Sequence, residues 1–147
     1  MVLNTRHTGF VVLDLGRFIK FYEGFGLKLV SRMIEEGDYI DKLVSLNDVK
    51  LEWAKLSLPD GSLIELLQYH THIDSSHING EVQLSYRLGC SHIALTVRDI
   101  EKAIEYICLS GGSVKNKYQI SPDGKVKVAY CYDMEGNILE IVQELKL

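Results

Sequence analysis

The chain is written twice, and that is the strongest constraint on its fold, because both copies have to form the same unit. Setting "HTGFVVLDLGRFIKFYEGFGLKLV" from His7 against "HIALTVRDIEKAIEYICLSGGSVK" from His92 pairs His7 with His92 and Asp14 with Asp99. It also pairs Arg17 with Lys102, Ile19 with Ile104, Phe21 with Tyr106 and Gly26 with Gly111, at an offset of 92 minus 7, or 85. Further on, "AKLSLPDGSLIELLQ" from Ala54 lies without a gap on "AYCYDMEGNILEIVQ" from Ala129. There Gly61 matches Gly136, Glu65 matches Glu140 and Gln68 matches Gln143, at an offset of 140 minus 65, or 75. The difference between the offsets falls in the longer middle of the first copy, "EEGDYIDKLVSLNDVK", which reads as a loop-rich insertion.

Each copy opens on a run of strand-forming residues, "HTGFVVLD" in the first, and Asp14 or Asp99 then supplies an N-cap for a helix. Leu15, Phe18, Ile19 and Tyr22 fall at helical spacing, as do Ile100, Ala103, Ile104 and Ile107. Gly24 with Gly26, and Gly111 with Gly112, close the two helices. Three strand-like runs follow in each copy: "LKLVSRMI", "VKLEWAKLSL" and "SLIELLQY", then "SVKNKYQI", "KVKVAYCYD" and "NILEIVQEL". Asp60-Gly61 and Glu135-Gly136 predict hairpin turns. The chain is therefore expected to be one α+β domain, residues 1–147, of two tandem βαβββ modules. Module one covers about residues 5–69, a polar linker about 70–90, and module two about 91–145.

In both copies a carboxylate interrupts the last strand. Glu65 shares a face with Leu63 and Leu67, and Glu140 with Ile138 and Val142, so both are expected among core neighbours. An ionised carboxylate on an apolar face costs several kcal/mol unless a cation or strong donors satisfy it. The bland reading of either glutamate alone is an edge position or a partner such as Arg6 or Arg87, and of either histidine a satisfied structural side chain. His7 and His92, at the start of each first strand and followed on the same face by the small Gly9 and Ala94, are the natural partners. Two imidazoles and two carboxylates about a pseudo-twofold axis make a site for one divalent metal ion, with His7, Glu65, His92 and Glu140 as ligands.

Composition narrows the partners. A formal net charge of -4, with both signs interleaved, offers no basic stripe for a phosphate backbone, so no nucleic acid is expected. No apolar run approaches the length of a membrane span, and the N-terminus lacks a cationic segment followed by a long apolar one, so no membrane partner is expected. Cys90, Cys108 and Cys131 are odd in number and form no CxxC, which reads as buried small thiols in a reducing, cytoplasmic setting. His70, His72 and His77 receive no role, and "SPDGK" at 121–125 reads as a turn.

The stretches "HTGFVVLDLGRFIKFYEGFGLKL", "PDGSLIELLQY", "GCSHIALTVRDIEKAIEYI" and "DMEGNILEIVQ" resemble the vicinal oxygen chelate superfamily, the glyoxalase, bleomycin-resistance and dioxygenase fold. The resemblance implies a curved, barrel-like mixed sheet around the metal. The His-Glu-His-Glu quartet resembles that of glyoxalase I, and length and spacing are similar to methylmalonyl-CoA epimerase. It implies a divalent-metal-dependent lyase or isomerase acting on a small oxygenated substrate, with an enediolate or enolate formed by proton transfer to Glu140 or Glu65. The ion would be Zn, Ni, Co, Mn or Fe, and the chain a homodimer. The epimerase uses a further glutamate, and Glu52 in "VKLEWAKL" does not match its spacing. After Glu65 the chain reads "LLQYHTH" where glyoxalase I enzymes carry an Asn-Trp pair. The alternatives within the same resemblance are a mononuclear Fe(II) extradiol dioxygenase and a resistance protein that binds a small molecule without catalysis.

Overall fold

A computed structural model describes residues 1–74 and 81–145. His77 of the linker lies outside the described residues. The chain divides into two compact units, Met1–Asp74 and Ser75–Leu147, each carrying one copy of the repeat. The architecture is α+β, with one mixed sheet per unit, and neither sheet closes on itself.

The first unit runs β1 (Thr8–Val11), α1 (Leu15–Gly24), β2 (Lys28–Glu36), α2 (Asp38–Val44), β3 (Lys50–Ser57) and β4 (Leu63–Tyr69). Its strands lie in the order β1-β4-β3-β2, and β1 pairs with β4 in parallel while the other neighbours are antiparallel. Asp14 caps α1, its carboxylate accepting the Arg17 N–H at 2.9 Å. The four residues expected on the apolar stripe, Leu15, Phe18, Ile19 and Tyr22, are all buried. α2 is an addition within the stretch expected to be a loop-rich insertion. Gly37, at φ +96°, ends β2, and Ile40 of α2 packs with Val49 and Leu51. The Asp41 carboxylate then accepts the N–H groups of Asp48 and Val49, tying the helix to the start of β3. So short a helix shows little periodicity, and its partners arrive only once the sheet exists.

The second unit runs β5 (His92–Thr96), α3 (Ile100–Leu109), β6 (Ser113–Val114), β7 (Gln119–Ile120), β8 (Val126–Tyr132) and β9 (Ile138–Glu144). Its sheet has the order β5-β9-β8-β6, with β7 also paired to β8. Asp99 caps α3 as expected. The single strand read from "SVKNKYQI" is split. Val114 pairs with Cys131 and Gln119 with Val128, so residues 115–118 span only the two partner positions 129 and 130, and the ladder breaks. Residues 81–90 of the linker lie against the β8–β9 turn: the Gln83 N–H donates to the Gly136 carbonyl at 2.9 Å. That turn, with Gly136 at φ +83°, is organised by buried Asp133, which accepts the Glu135 and Asn137 N–H groups and the Asn137 amide.

The cysteines depart from expectation. Cys131 is buried, but Cys90 and Cys108 are exposed, Cys90 because it precedes β5 and Cys108 because it lies on the outward side of α3 beside buried Ile107. Burial, with Cys108 nearby, pushes the Cys131 thiol up to about 11. All three are free.

One duplicated contact joins helix to sheet in both units. The Leu15 N–H, in the first turn of α1, donates to Gln68 Oε1 of β4 at 2.8 Å, and the Ile100 N–H donates to Gln143 Oε1 of β9 at 2.9 Å. A helix N-terminus leaves its first N–H groups without intrahelical partners, so a side-chain carbonyl there acts as a second cap. Replacing Gln68 or Gln143 by Leu is therefore expected to lower stability by about 1 kcal/mol at each site, read by urea denaturation, with the helical circular dichroism retained.

Candidate active site

The parallel pairing of first and last strands brings each predicted histidine to its glutamate. Gly9 lies opposite Glu65 in the β1–β4 register, and Ala94 lies opposite Glu140 in the β5–β9 register. His7 Nε2 stands 2.9 Å from Glu65 Oε2, and His92 Nε2 stands 2.7 Å from Glu140 Oε2. A Cβ built on Gly9 would meet its nearest atom, Leu67 Cδ1, at 3.4 Å, so the position beside the pair is small but not tightly enclosed.

The glutamates do not stand on the fully buried face. In β4 the buried Ile64 and Leu66 alternate with half-buried Leu63, Glu65 and Leu67, and Gln68, which caps α1, shares the parity of the buried set. Glu65 therefore looks away from the helix. The face is sheltered rather than sealed, with the Glu65 side chain 13% exposed and that of Glu140 22%. Ile138, on the face of Glu140, is buried as expected, and Val142 is half-buried.

The surroundings of the two pairs differ. Lys55, opposite Glu65 in the β3–β4 register, places Nζ 3.5 Å from Glu65 Oε1 and 4.5 Å from the Trp53 ring centroid. The cation beside Glu65 is thus Lys55 rather than Arg6 or Arg87. Tyr130 holds the corresponding place in the second unit, opposite Glu140, with its ring 5.2 Å from that of His92. His92 Nδ1 lies 3.1 Å from Ser91 Oγ, whereas His7 Nδ1 is buried and has no hydrogen-bond partner among the described residues.

The donor chemistry of each pair suits a divalent ion. Each pair is in direct hydrogen-bond contact, and imidazole nitrogen and carboxylate oxygen are both donors that a divalent ion takes. Among the described residues, the His, Cys, Asp and Glu side chains form no group of three or more that would hold an ion on its own. Each unit presents one His–Glu pair.

Glu52 is occupied elsewhere. It is buried on the helix-side face, opposite Gln68 in the register, and receives the Arg32 Nε–H at 2.6 Å while facing His70 Nε2 at 2.9 Å. Burial tends to raise its carboxyl, but the bonds and charges of Arg32 and His70 outweigh this and hold it below the ordinary value of 4.5. This assigns His70 a structural partner, while His72 contacts only the neighbouring Thr71 hydroxyl at 3.0 Å. Neither Lys55 nor the Arg32–Glu52–His70 set was singled out in the sequence. The repeat carried the signal for Lys55, since Ala54 and Ala129 align and the next position holds Lys in one copy and Tyr in the other.

Two sheets, each with a histidine at its first strand and a glutamate on its last, mark a duplicated βαβββ-type fold. The chain belongs to the Glyoxalase/Bleomycin resistance protein/Dioxygenase superfamily, which it matches over residues 5–141. It is 30% identical over 145 residues to a lactoylglutathione lyase of Schizosaccharomyces pombe, covering 94% of this chain and 46% of that protein. A lactoylglutathione lyase of Arabidopsis thaliana is 27% identical over 140 residues, covering 93% of this chain and 43% of that protein. The chain thus spans less than half the length of these curated relatives. Among solved structures, a glyoxalase family protein from Bacillus cereus superposes with a TM-score of 0.88 at 25% identity, covering 99% of this chain and 97% of that one. Glyoxalase I from Zea mays gives 0.65 at 25% identity, covering 96% of this chain and 44% of that one. Among the described residues no helix is long and apolar enough to cross a membrane.

The Glu52 set has a pH signature. Because its carboxyl is held below 4.5, it contributes stability that is fully present above that value and lost as the pH falls through the lower, folded value. Glu52→Gln is expected to cost about 1–2 kcal/mol at pH 7 and to flatten the acid limb of a stability-against-pH curve measured by urea denaturation.

Proposed function

We propose that this protein is a divalent-metal-dependent lyase or isomerase of the glyoxalase kind, acting on a small substrate with two neighbouring oxygens. The observation that carries the reading is the twofold repetition of a His–Glu pair, at 2.9 and 2.7 Å, in the same parallel register of two sheets. In this reading the two modules make one domain, residues 1–147, and His7, Glu65, His92 and Glu140 hold one ion. When bound, the ion supplies a Lewis-acid hold on vicinal substrate oxygens that lowers the energy of an enediolate or enolate.

The chain's own groups do the proton work. A carboxylate at the site takes the proton from the carbon beside the chelated oxygens and returns it. Glu140 suits that role better than Glu65, because among the described residues no lysine forms a salt bridge with it and its side chain is the more exposed of the two. His7 and His92 then orient the carboxylates, and the sheltered sheet faces limit exchange of the proton with water. Similarity to lactoylglutathione lyases supports this class, whereas the "LLQYHTH" sequence after Glu65 argues for a substrate other than the glutathione adduct. The three free cysteines agree with a cytoplasmic setting.

Metal content tests the assignment directly. Protein purified without chelator or affinity-tag histidines is expected to hold about one divalent ion per site, and a Glu65→Gln, Glu140→Gln double variant to lose it, as read by elemental analysis. Proton transfer is then followed as solvent deuterium exchange into an α-hydroxy carbonyl compound, with Glu140→Gln expected to slow it by about 100-fold or more. Oxygen-sensitive iron as the bound metal would turn the reading to ring cleavage, and no uptake of any divalent ion would overturn it.

A homodimer is part of the same proposal. β2 is an edge strand, and its Val30, Met33 and Ile34 are 60%, 52% and 50% exposed, an apolar edge of the kind that seeks a partner. A Val30→Glu, Met33→Glu variant is expected to run as a monomer in light scattering where the parent runs as a dimer.

A further inference from the structure

We propose that Lys55 is the anion-binding group of this site, taking a carboxylate or similar oxyanion of the substrate beside its chelated oxygens; the inference rests on the metal reading of His7 and Glu65. Lys55 breaks the internal symmetry. Position 55 corresponds to position 130 at the offset of 75, and there the second unit carries Tyr130 on the row of Glu140. Both units keep the histidine and the glutamate, so the cation is specific to the first unit.

The contacts show what that cation lacks. His7 engages Glu65 Oε2 and Lys55 engages Oε1, so both oxygens of Glu65 are in use. Among the described residues Glu65 is the one carboxylate within salt-bridge reach of Lys55 Nζ. The Trp53 ring beneath the ammonium steadies it without neutralising it. If Glu65 turns its charge to a divalent ion, a half-sheltered ammonium with a 25% exposed side chain is left without a counter-ion. An unpaired, partly desolvated charge is unfavourable, and an incoming anion removes that cost. In the proposed four-ligand site the charge count agrees, since two glutamates would balance a divalent ion and Lys55 would leave one net positive charge. A lysine also serves as a point charge for an oxyanion without demanding one planar shape.

The test uses the cobalt-loaded full chain, titrated with glycerate and with its neutral amide, glyceramide, while the visible absorption of the metal is recorded. Both probes carry vicinal oxygens, and only glycerate adds the charge. Wild-type protein is expected to bind glycerate about tenfold or more tighter than glyceramide. Lys55→Met is expected to abolish that preference, keep glyceramide affinity and hold cobalt at least as tightly, since a cation beside Glu65 has been removed. Lys55→Arg is expected to retain most of the preference, which separates a charge effect from a folding defect. Failure to take up cobalt would overturn the metal reading and this inference together. Cobalt uptake with no preference in the wild type, or with the preference intact in Lys55→Met, would overturn the Lys55 assignment alone.

Discussion

Parallel pairing between the first and last strand of each repeat is the constraint on which the rest depends. A parallel neighbour cannot be reached by a hairpin, so the chain has to cross over through a helix and return through further strands before β4 can lie beside β1, or β9 beside β5. That detour sets a histidine at the beginning of the module next to a glutamate near its end. The same closing strand also fixes the helix. Glu65 and Gln68 are three residues apart and so face opposite sides of β4, one toward His7 and the other toward the first turn of α1. Glu140 and Gln143 repeat the arrangement on β9. A shift of register by one residue would send the carboxylate to the helix and the amide to the site.

Within that shared frame the two units have diverged electrostatically. Glu65 is held between an imidazole and an ammonium, whereas Glu140 has the imidazole of His92 and the aromatic wall of Tyr130. Duplication supplies matched His–Glu pairs, and departures from the match make them chemically different: the carboxylate of the first unit has a cation beside it and that of the second has an aromatic ring. The Arg32–Glu52–His70 set shows the opposite use of a strand carboxylate. Its oxygens are spent on an arginine and a histidine on the helix-side face, so Glu52 is structural although it resembles Glu65 in sequence.

Much of this was legible before any coordinates. The helix caps Asp14 and Asp99, the apolar stripe of α1, the turns at Gly61 and Gly136 and the two His–Glu pairs all follow from local residue chemistry repeated at two offsets. What escaped had no local signature. α2 is held by Ile40 against Val49 and Leu51 and by the Asp41 carboxylate, contacts that exist only after β2 and β3 have paired. The split of β6 from β7 depends on two surplus residues measured against β8. The exposure of Cys90 and Cys108 reflects where a loop and a helix face ended up, which composition does not encode.

The sequence by itself determined the repeat, the order of the elements that both copies share and the identity of the His–Glu partners, because strand alternation, helix capping and turn chemistry are short-range and act the same way in both copies. Only the tertiary structure decided that the glutamates face away from the helices, that Glu52 is consumed by Arg32 and His70, and that Lys55 rather than an arginine stands beside Glu65. The reason is physical: which side chains meet across a sheet is set by register, and register is set by packing between strands that are distant in the chain.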